Sequence, residues 1–165
     1  METKLRTMAA GDWDGVGAIY LAGIATGQAT FETELPSWGH WNQTHLSAPR
    51  LIAVADEAIV GWAALSPVSA RAVYAGVAEV SVYVGEPARG KGVGLLLLKT
   101  LVQESEKLGI WTLQAGIFPE NSASISLHKS CGFREVGRRE RIGKMNRVWR
   151  DTLLFERRSS LVGAD

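Results

Sequence analysis

Across residues 12–27 the apolar positions Trp13, Val16, Ile19, Tyr20, Gly23 and Ile24 return at steps of three and four, the period of a helix with one greasy face. Gly27 supplies its stop. Pro36 opens a short second helix through Trp38, Trp41 and His45 that closes before Pro49; the loop between the helices carries Phe31 and Thr33. Residues 50–55 and 58–65 are β-rich runs flanking Asp56-Glu57, the pattern of an antiparallel hairpin, and residues 66–76 read as loop. Residues 78–84 alternate: Val80, Val82 and Val84 share one face, Glu79, Ser81 and Tyr83 the other. After Pro87 comes a glycine-rich turn and a long helix ending at Gly109, then a strand over 111–118, a helix over 121–130, and strands over 133–139 and 148–157. This alternation predicts an α/β fold.

At 165 residues and 46% hydrophobic, the chain has the size and apolar content for one domain, read as residues 1–158 with a short polar tail over 159–165. No apolar run approaches the ~18 residues of a membrane helix, and no secretory leader is visible near Met1, so a cytoplasmic protein without a membrane partner is expected. A lone cysteine, Cys131, excludes an internal disulfide framework and reads as a packed residue. With His40, His45 and His128 scattered, no metal is expected.

The net charge of +1 hides an asymmetry: residues 1–88 hold four Lys/Arg against nine Asp/Glu, or −5, and residues 89–165 hold fourteen against eight, or +6. The basic half lacks a Lys/Arg run interleaved with aromatics, which argues against nucleic acid. A small, multiply charged anion is the better match.

The turn that could receive it is Arg89-Gly90-Lys91-Gly92-Val93-Gly94, between a valine-rich strand and a helix. Glycines let backbone N–H groups turn inward, and the helix N-terminus adds partial positive charge. Neither the Walker spacing nor the dinucleotide G-x-G-x-x-G spacing is present. The arrangement Arg-x-x-Gly-x-Gly, here Arg89, Gly92 and Gly94, followed by Asn121, Ser124, His128, Gly132 and Phe133, resembles the GNAT superfamily of N-acetyltransferases. Phe31-Glu32-Thr33, Arg71-x-x-Tyr74, the strand Glu79 to Val84 and Trp149-x-Asp151 further resemble the phosphinothricin and methionine sulfone/sulfoximine acetyltransferases, over roughly residues 5–155. Ala75 and Met145-Asn146-Arg147 depart from those enzymes, which often carry Arg and Lys-Phe-Gly there.

The resemblance implies a mixed central sheet with two splayed strands, flanked by helices, and acetyl-CoA as co-substrate. Its pyrophosphate would lie on the amides of Gly90, Lys91, Gly92, Val93, Gly94 and Leu95 beside Arg89, and its pantetheine arm would pair with the backbone of Val82, Tyr83 and Val84. Asn121 and Ser124 would face the same arm, with N-capping the other reading of Asn121. Acetyl transfer needs a neutral amine and hence a base. Glu79 holds that place, an N–H near Val82 or Tyr83 would meet the oxyanion, and His128 stands where many members carry an acid. Phe31, Thr33, Arg71 and Tyr74 would hold the acceptor, Arg71 by clamping a carboxylate. The implied acceptor is the α-amino group of a small amino acid or analogue, with a role in detoxification or resistance and a homodimeric state. Acetylation of a protein N-terminus or polyamine, and a non-catalytic acyl-CoA-binding regulator, are the alternatives.

Overall fold

The computed structural model describes residues 2–165. Seven strands form one mixed sheet: β1 (Lys4–Thr7), β2 (Arg50–Ala55), β3 (Ala58–Pro67), β4 (Val77–Val84), β5 (Thr112–Ile117), β6 (Arg134–Met145) and β7 (Val148–Arg158), in the spatial order β1-β2-β3-β4-β5-β7-β6. Four helices cover its faces: α1 (Trp13–Ala25), α2 (Trp38–Thr44), α3 (Val93–Lys107) and α4 (Ser122–Ser130).

Turn chemistry sets both hairpins. Asp56 and Glu57 take φ of 49° and 64°, and Asn146 and Arg147 take 50° and 65°. Two successive left-handed residues make the tight turn whose twist matches that of paired strands. The second turn lets β6 run on to Met145, past the Arg139 limit expected from alternation, with a bulge between Arg139 and Gly143. Asp151 holds that bulge, its carboxylate accepting from Arg138 Nε and from the Arg141 backbone N–H, each at 2.8 Å. Strand β1 was not expected from the sequence, and it forms by pairing antiparallel with β2. The tail is also not loose at its start: Ser159 is buried, its N–H donates to Trp111 O at 2.8 Å, and its hydroxyl donates to Glu106.

On one face α3 lays Leu97, Leu98 and Leu101, all fully buried, against Leu65, Val80, Leu113 and Phe155. Each such side chain contributes about 1.5–3 kcal/mol of burial free energy. On the other face α1 and α2 close over an aromatic slab in which Trp13, Trp38 and Trp41 lie 5.7–5.9 Å apart, and Trp41 meets Trp62 edge-on at 5.6 Å. Trp62 stacks on Tyr83 at 4.9 Å, which carries the slab to the middle of the sheet.

There the sheet opens. β4 and β5 run parallel and pair only over Val77–Glu79 against Thr112–Gln114; beyond that point β4 pairs with β3 alone and β5 with β7 alone. The Gly85 N–H donates to Val60 O at 2.8 Å, which sets the phase of an unbroken ladder. Backbone groups of Ser81 and Tyr83 turn toward β3, and those of Val82 and Val84 turn into the gap.

Candidate active site

The gap is the floor of a cleft of about 1040 Å³, the size of a pocket for a large ligand. At its apex, where the strands part, the Gln114 amide donates to Glu79 Oε1 at 3.3 Å. Glu79 is half-buried and is the one carboxylate lining the cleft among the described residues.

The glycine turn forms one end. Gly90 and Gly92 have φ of 74° and 83°, left-handed values that cost a side-chain-bearing residue about 1–2 kcal/mol. Gly92 is the N-cap of α3 and no side chain caps it, so the N–H groups of Val93, Gly94 and Leu95 are left without an intrahelical acceptor. No atom stands within 4 Å of a Cβ built on Gly90 or Gly92, so the approach is open. Arg89 folds back and donates from Nε to Val84 O at 3.2 Å, which ties the turn to the strand end. This donor set, with its dipole and its guanidinium, fits a pyrophosphate.

Helix α4 forms the near wall. Asn121 caps it, with Oδ1 accepting from Ser124 N–H at 3.2 Å, and its Nδ2 donates to Gln28 O at 3.2 Å. The capping reading is therefore satisfied, and the remaining amide reaches across to the loop after α1. His128 is buried, and its Nδ1 donates to Ser124 O at 2.7 Å. Burial lowers the pKa of this ring below the ordinary value, against the opposing pull of that hydrogen bond. In the neutral form so favoured, Nδ1 carries the proton and Nε2 is an acceptor.

The far wall was anticipated only at Phe31 and Tyr83. The loop over residues 26–31 lines the cleft with Thr26, Gln28, Ala29, Thr30 and Phe31. It is held by Arg150, whose guanidinium donates to Gly27 O at 2.9 Å and Gln28 Oε1 at 2.8 Å and lies 3.9 Å over the Phe118 ring. Phe31 meets Phe118 edge-on at 4.9 Å and rests on Gly143, where a Cβ would come within 2.7 Å of the Phe31 ring. Tyr83 completes the wall; desolvation raises its phenol well above the usual range.

Of the residues expected at the site, Glu79, Val82, Tyr83, Val84, Arg89, Gly90, Gly92, Val93, Gly94, Leu95, Asn121, Ser124, His128 and Phe31 all line this cleft. Lys91, Thr33, Arg71 and Tyr74 do not. Lys91 is exposed on the turn, where glycines on either side direct the backbone inward. Thr33 is exposed beyond the loop. Arg71 and Tyr74 are also exposed, with the guanidinium 5.6 Å over the phenol ring, so each is the other's partner. Arg139 and Thr152, directly paired across β6 and β7, line the cleft without having been anticipated. Among the described residues no group of three or more His, Cys, Asp or Glu could hold a metal, and no helix is long and apolar enough to cross a membrane.

Comparisons with known proteins converge on this architecture. Residues 19–133 match the acetyltransferase (GNAT) family. Phosphinothricin N-acetyltransferase of Alcaligenes faecalis is 34% identical over 158 residues, covering 88% of this chain and 77% of that one. L-methionine sulfoximine/L-methionine sulfone acetyltransferase of Pseudomonas aeruginosa is 29% identical over 162 residues, 94% of each chain. The crystal structure of a GNAT superfamily phosphinothricin acetyltransferase from Sinorhizobium meliloti, in complex with AcCoA, superposes with a TM-score of 0.89 at 29% identity, over 100% of this chain and 92% of that one. The parted strands, the uncapped glycine turn and these matches agree, and the chain belongs to the GNAT family of acetyltransferases.

Proposed function

We propose that this protein transfers an acetyl group from acetyl-CoA directly to the α-amino group of a small amino acid or analogue of the phosphinothricin and methionine sulfone/sulfoximine class. One observation carries the reading: a single cleft joins an anion-binding glycine turn to the one carboxylate, Glu79, at the apex of the strand gap. The uncapped amides from Val93 to Leu95, with Arg89, would hold the pyrophosphate. The backbone groups of Val82 and Val84 would pair with the amide-bearing arm as a strand does, and the Val82 N–H is the donor available to a developing oxyanion. Acetyl-CoA supplies the acetyl carbon to which the amine nitrogen bonds as the C–S bond breaks, and the proton that nitrogen then sheds passes to the departing thiolate, so that CoA leaves as the free thiol.

Glu79 takes the proton that an ammonium must lose before it is a nucleophile, directly or through water. His128 has its Nδ1 committed to Ser124 O, so the neutral ring offers Nε2 only as an acceptor; it would deliver a proton to the departing sulfur only as the imidazolium, which burial disfavours. We assign it the orientation of the thiol end. The acceptor would lie between Tyr83, Phe31 and the loop that Arg150 holds. The exposed Val136, Ile142, Val148 and Trp149 of the β6–β7 hairpin support a homodimer, and acetylation of toxic amino-acid analogues would serve detoxification.

The test is thiol release from acetyl-CoA against phosphinothricin, methionine sulfone, methionine sulfoximine, common amino acids, polyamines and N-terminal peptides, with Glu79→Gln alongside. Turnover on the amino-acid analogues that falls about 10²–10⁴-fold in the variant is expected for loss of a general base. Turnover confined to polyamines or peptides would overturn the acceptor assignment, and cofactor binding without turnover on any amine would overturn the enzymatic one.

A further inference from the structure

We infer that Arg139 binds an anionic group carried several bonds from the acceptor amine, and so sets which acceptors are preferred; this rests on the acceptor reading given above. Two cations line the cleft among the described residues, Arg89 and Arg139. Arg89 is tied to the strand end at the glycine turn. Arg139 makes no ion pair or side-chain hydrogen bond among the described residues, whereas Arg134, Arg138, Arg150, Arg157 and Arg158 on the same hairpin each have a carboxylate partner; the Arg141 and Arg147 side chains are also unpaired, but neither lines the cleft. A guanidinium left free in a concave site is a ready fork for a carboxylate or phosphinate.

Register places it on the side of the sheet where the amine must be. Directly paired residues share a face, as do residues two apart on one strand. Glu79 pairs with Gln114, Gly116 pairs with Leu154, and Thr152 pairs with Arg139. Glu79 and Arg139 therefore project from the same face. The Asp151 carboxylate holds the bulge that begins after Arg139, so this side chain stands on a braced backbone although it is exposed.

Spacing then selects the acceptor. β4 and β6 are three strand steps apart in the sheet order, about 14 Å at the usual spacing of neighbouring strands. The pairings above carry Arg139 four residues further along the strands, about 13 Å, so the two backbones lie about 19 Å apart. An α-carboxylate, adjacent to the amine, is too near Glu79 to meet Arg139. An anion at the far end of the acceptor side chain has the reach.

Steady-state kinetics of the full chain, with Arg139→Gln and Arg139→Lys, test this on pairs differing in the distal group: glutamate with glutamine, and phosphinothricin with methionine sulfone. For Arg139→Gln, KM for the anionic member should rise about 10- to 100-fold, the loss of a charge-assisted hydrogen-bond pair, at unchanged kcat. KM for the neutral member and for acetyl-CoA should stay within about 2-fold, and Arg139→Lys should restore part of the loss, since the charge remains without the fork. An equal change for both members, or none, overturns the inference while the proposed activity stands. If the wild type acetylates neither member of either pair, the acceptor reading itself fails and the role of Arg139 fails with it.

Discussion

Replacing Arg150 with leucine should open the loop that walls the proposed acceptor end of the cleft while leaving the glycine-turn end intact. The guanidinium makes two charge-assisted hydrogen bonds, to Gly27 O and Gln28 Oε1, and covers the Phe118 ring. Its contact with Glu120 is long, at 3.5 Å, and that carboxylate is mostly exposed, so little of the effect belongs to it. Hydrogen bonds to a charged group are worth about 1.5–3 kcal/mol each. Gln28 is exposed and Gly27 half-buried, so both loop acceptors regain water when released, which brings the net cost to about 1–3 kcal/mol for the pair. If that free energy holds the loop in place, KM for the acceptor should rise about 5- to 150-fold. KM for acetyl-CoA should change little, since the glycine turn makes no contact with Arg150. Initial-rate kinetics give the split, and amide hydrogen exchange should show protection lost across residues 26–31 and kept in β4 and α3. Arg150→Lys keeps one donor to one acceptor and should fall between. Unchanged acceptor KM together with unchanged exchange in the loop would refute the reasoning.

Three further outcomes follow from geometry already described. Gly92→Val should raise KM for acetyl-CoA with little effect on acceptor KM at saturating cofactor, because a β-branched residue at φ 83° costs at least about 1–2 kcal/mol and shifts the amides; two-substrate kinetics would show it. Gly143→Ala should displace Phe31, which a Cβ would approach to 2.7 Å, and raise acceptor KM by several-fold at a stability cost of about 1–3 kcal/mol, read from urea unfolding. His128 and His45 both have pKa values lowered by burial, so the unfolded chain binds their protons first as acid is added. Stability is then level above the ordinary value of 6.5 and falls as pH drops through it, and His128→Gln should flatten part of that fall in thermal melts at pH 5–7.

Local pattern made most of the fold legible: helix periodicity gave α1, the apolar block after the glycine turn gave α3, alternation gave β4, and Gly27 and Gly109 marked stops whose φ values are 68° and 81°. The glycine turn that forms one end of the cleft was readable because its chemistry is contiguous, from Arg89 to Leu95. The opposite end, where the acceptor is proposed to bind, is assembled from distant segments, and no local signal says that Arg150 will reach Gly27 or that Arg139 will share a face with Glu79. The sequence similarity that suggested Arg71 and Tyr74 did not reveal that they would pair with each other on an exposed turn. Strand β1 was invisible for a related reason: it has four residues, and its existence depends on pairing with β2 rather than on its own alternation.

The parted strands also bear on aggregation. Open strand edges recruit other chains, and most proteins guard the edges at the rim of a sheet. Here two edges lie in the interior, along β4 beyond Glu79 and along β5 beyond Gln114, and pairing at Val77–Glu79 closes the slot at one end. Helix α4 and the loop braced by Arg150 flank the rest. A strand from a neighbouring molecule, flanked by its own sheet, cannot slide into a wedge shut at its base. A thin chain of amides and methylenes can. The edge that would make another protein sticky is kept available to a small molecule and denied to a large one by the shape of the opening alone.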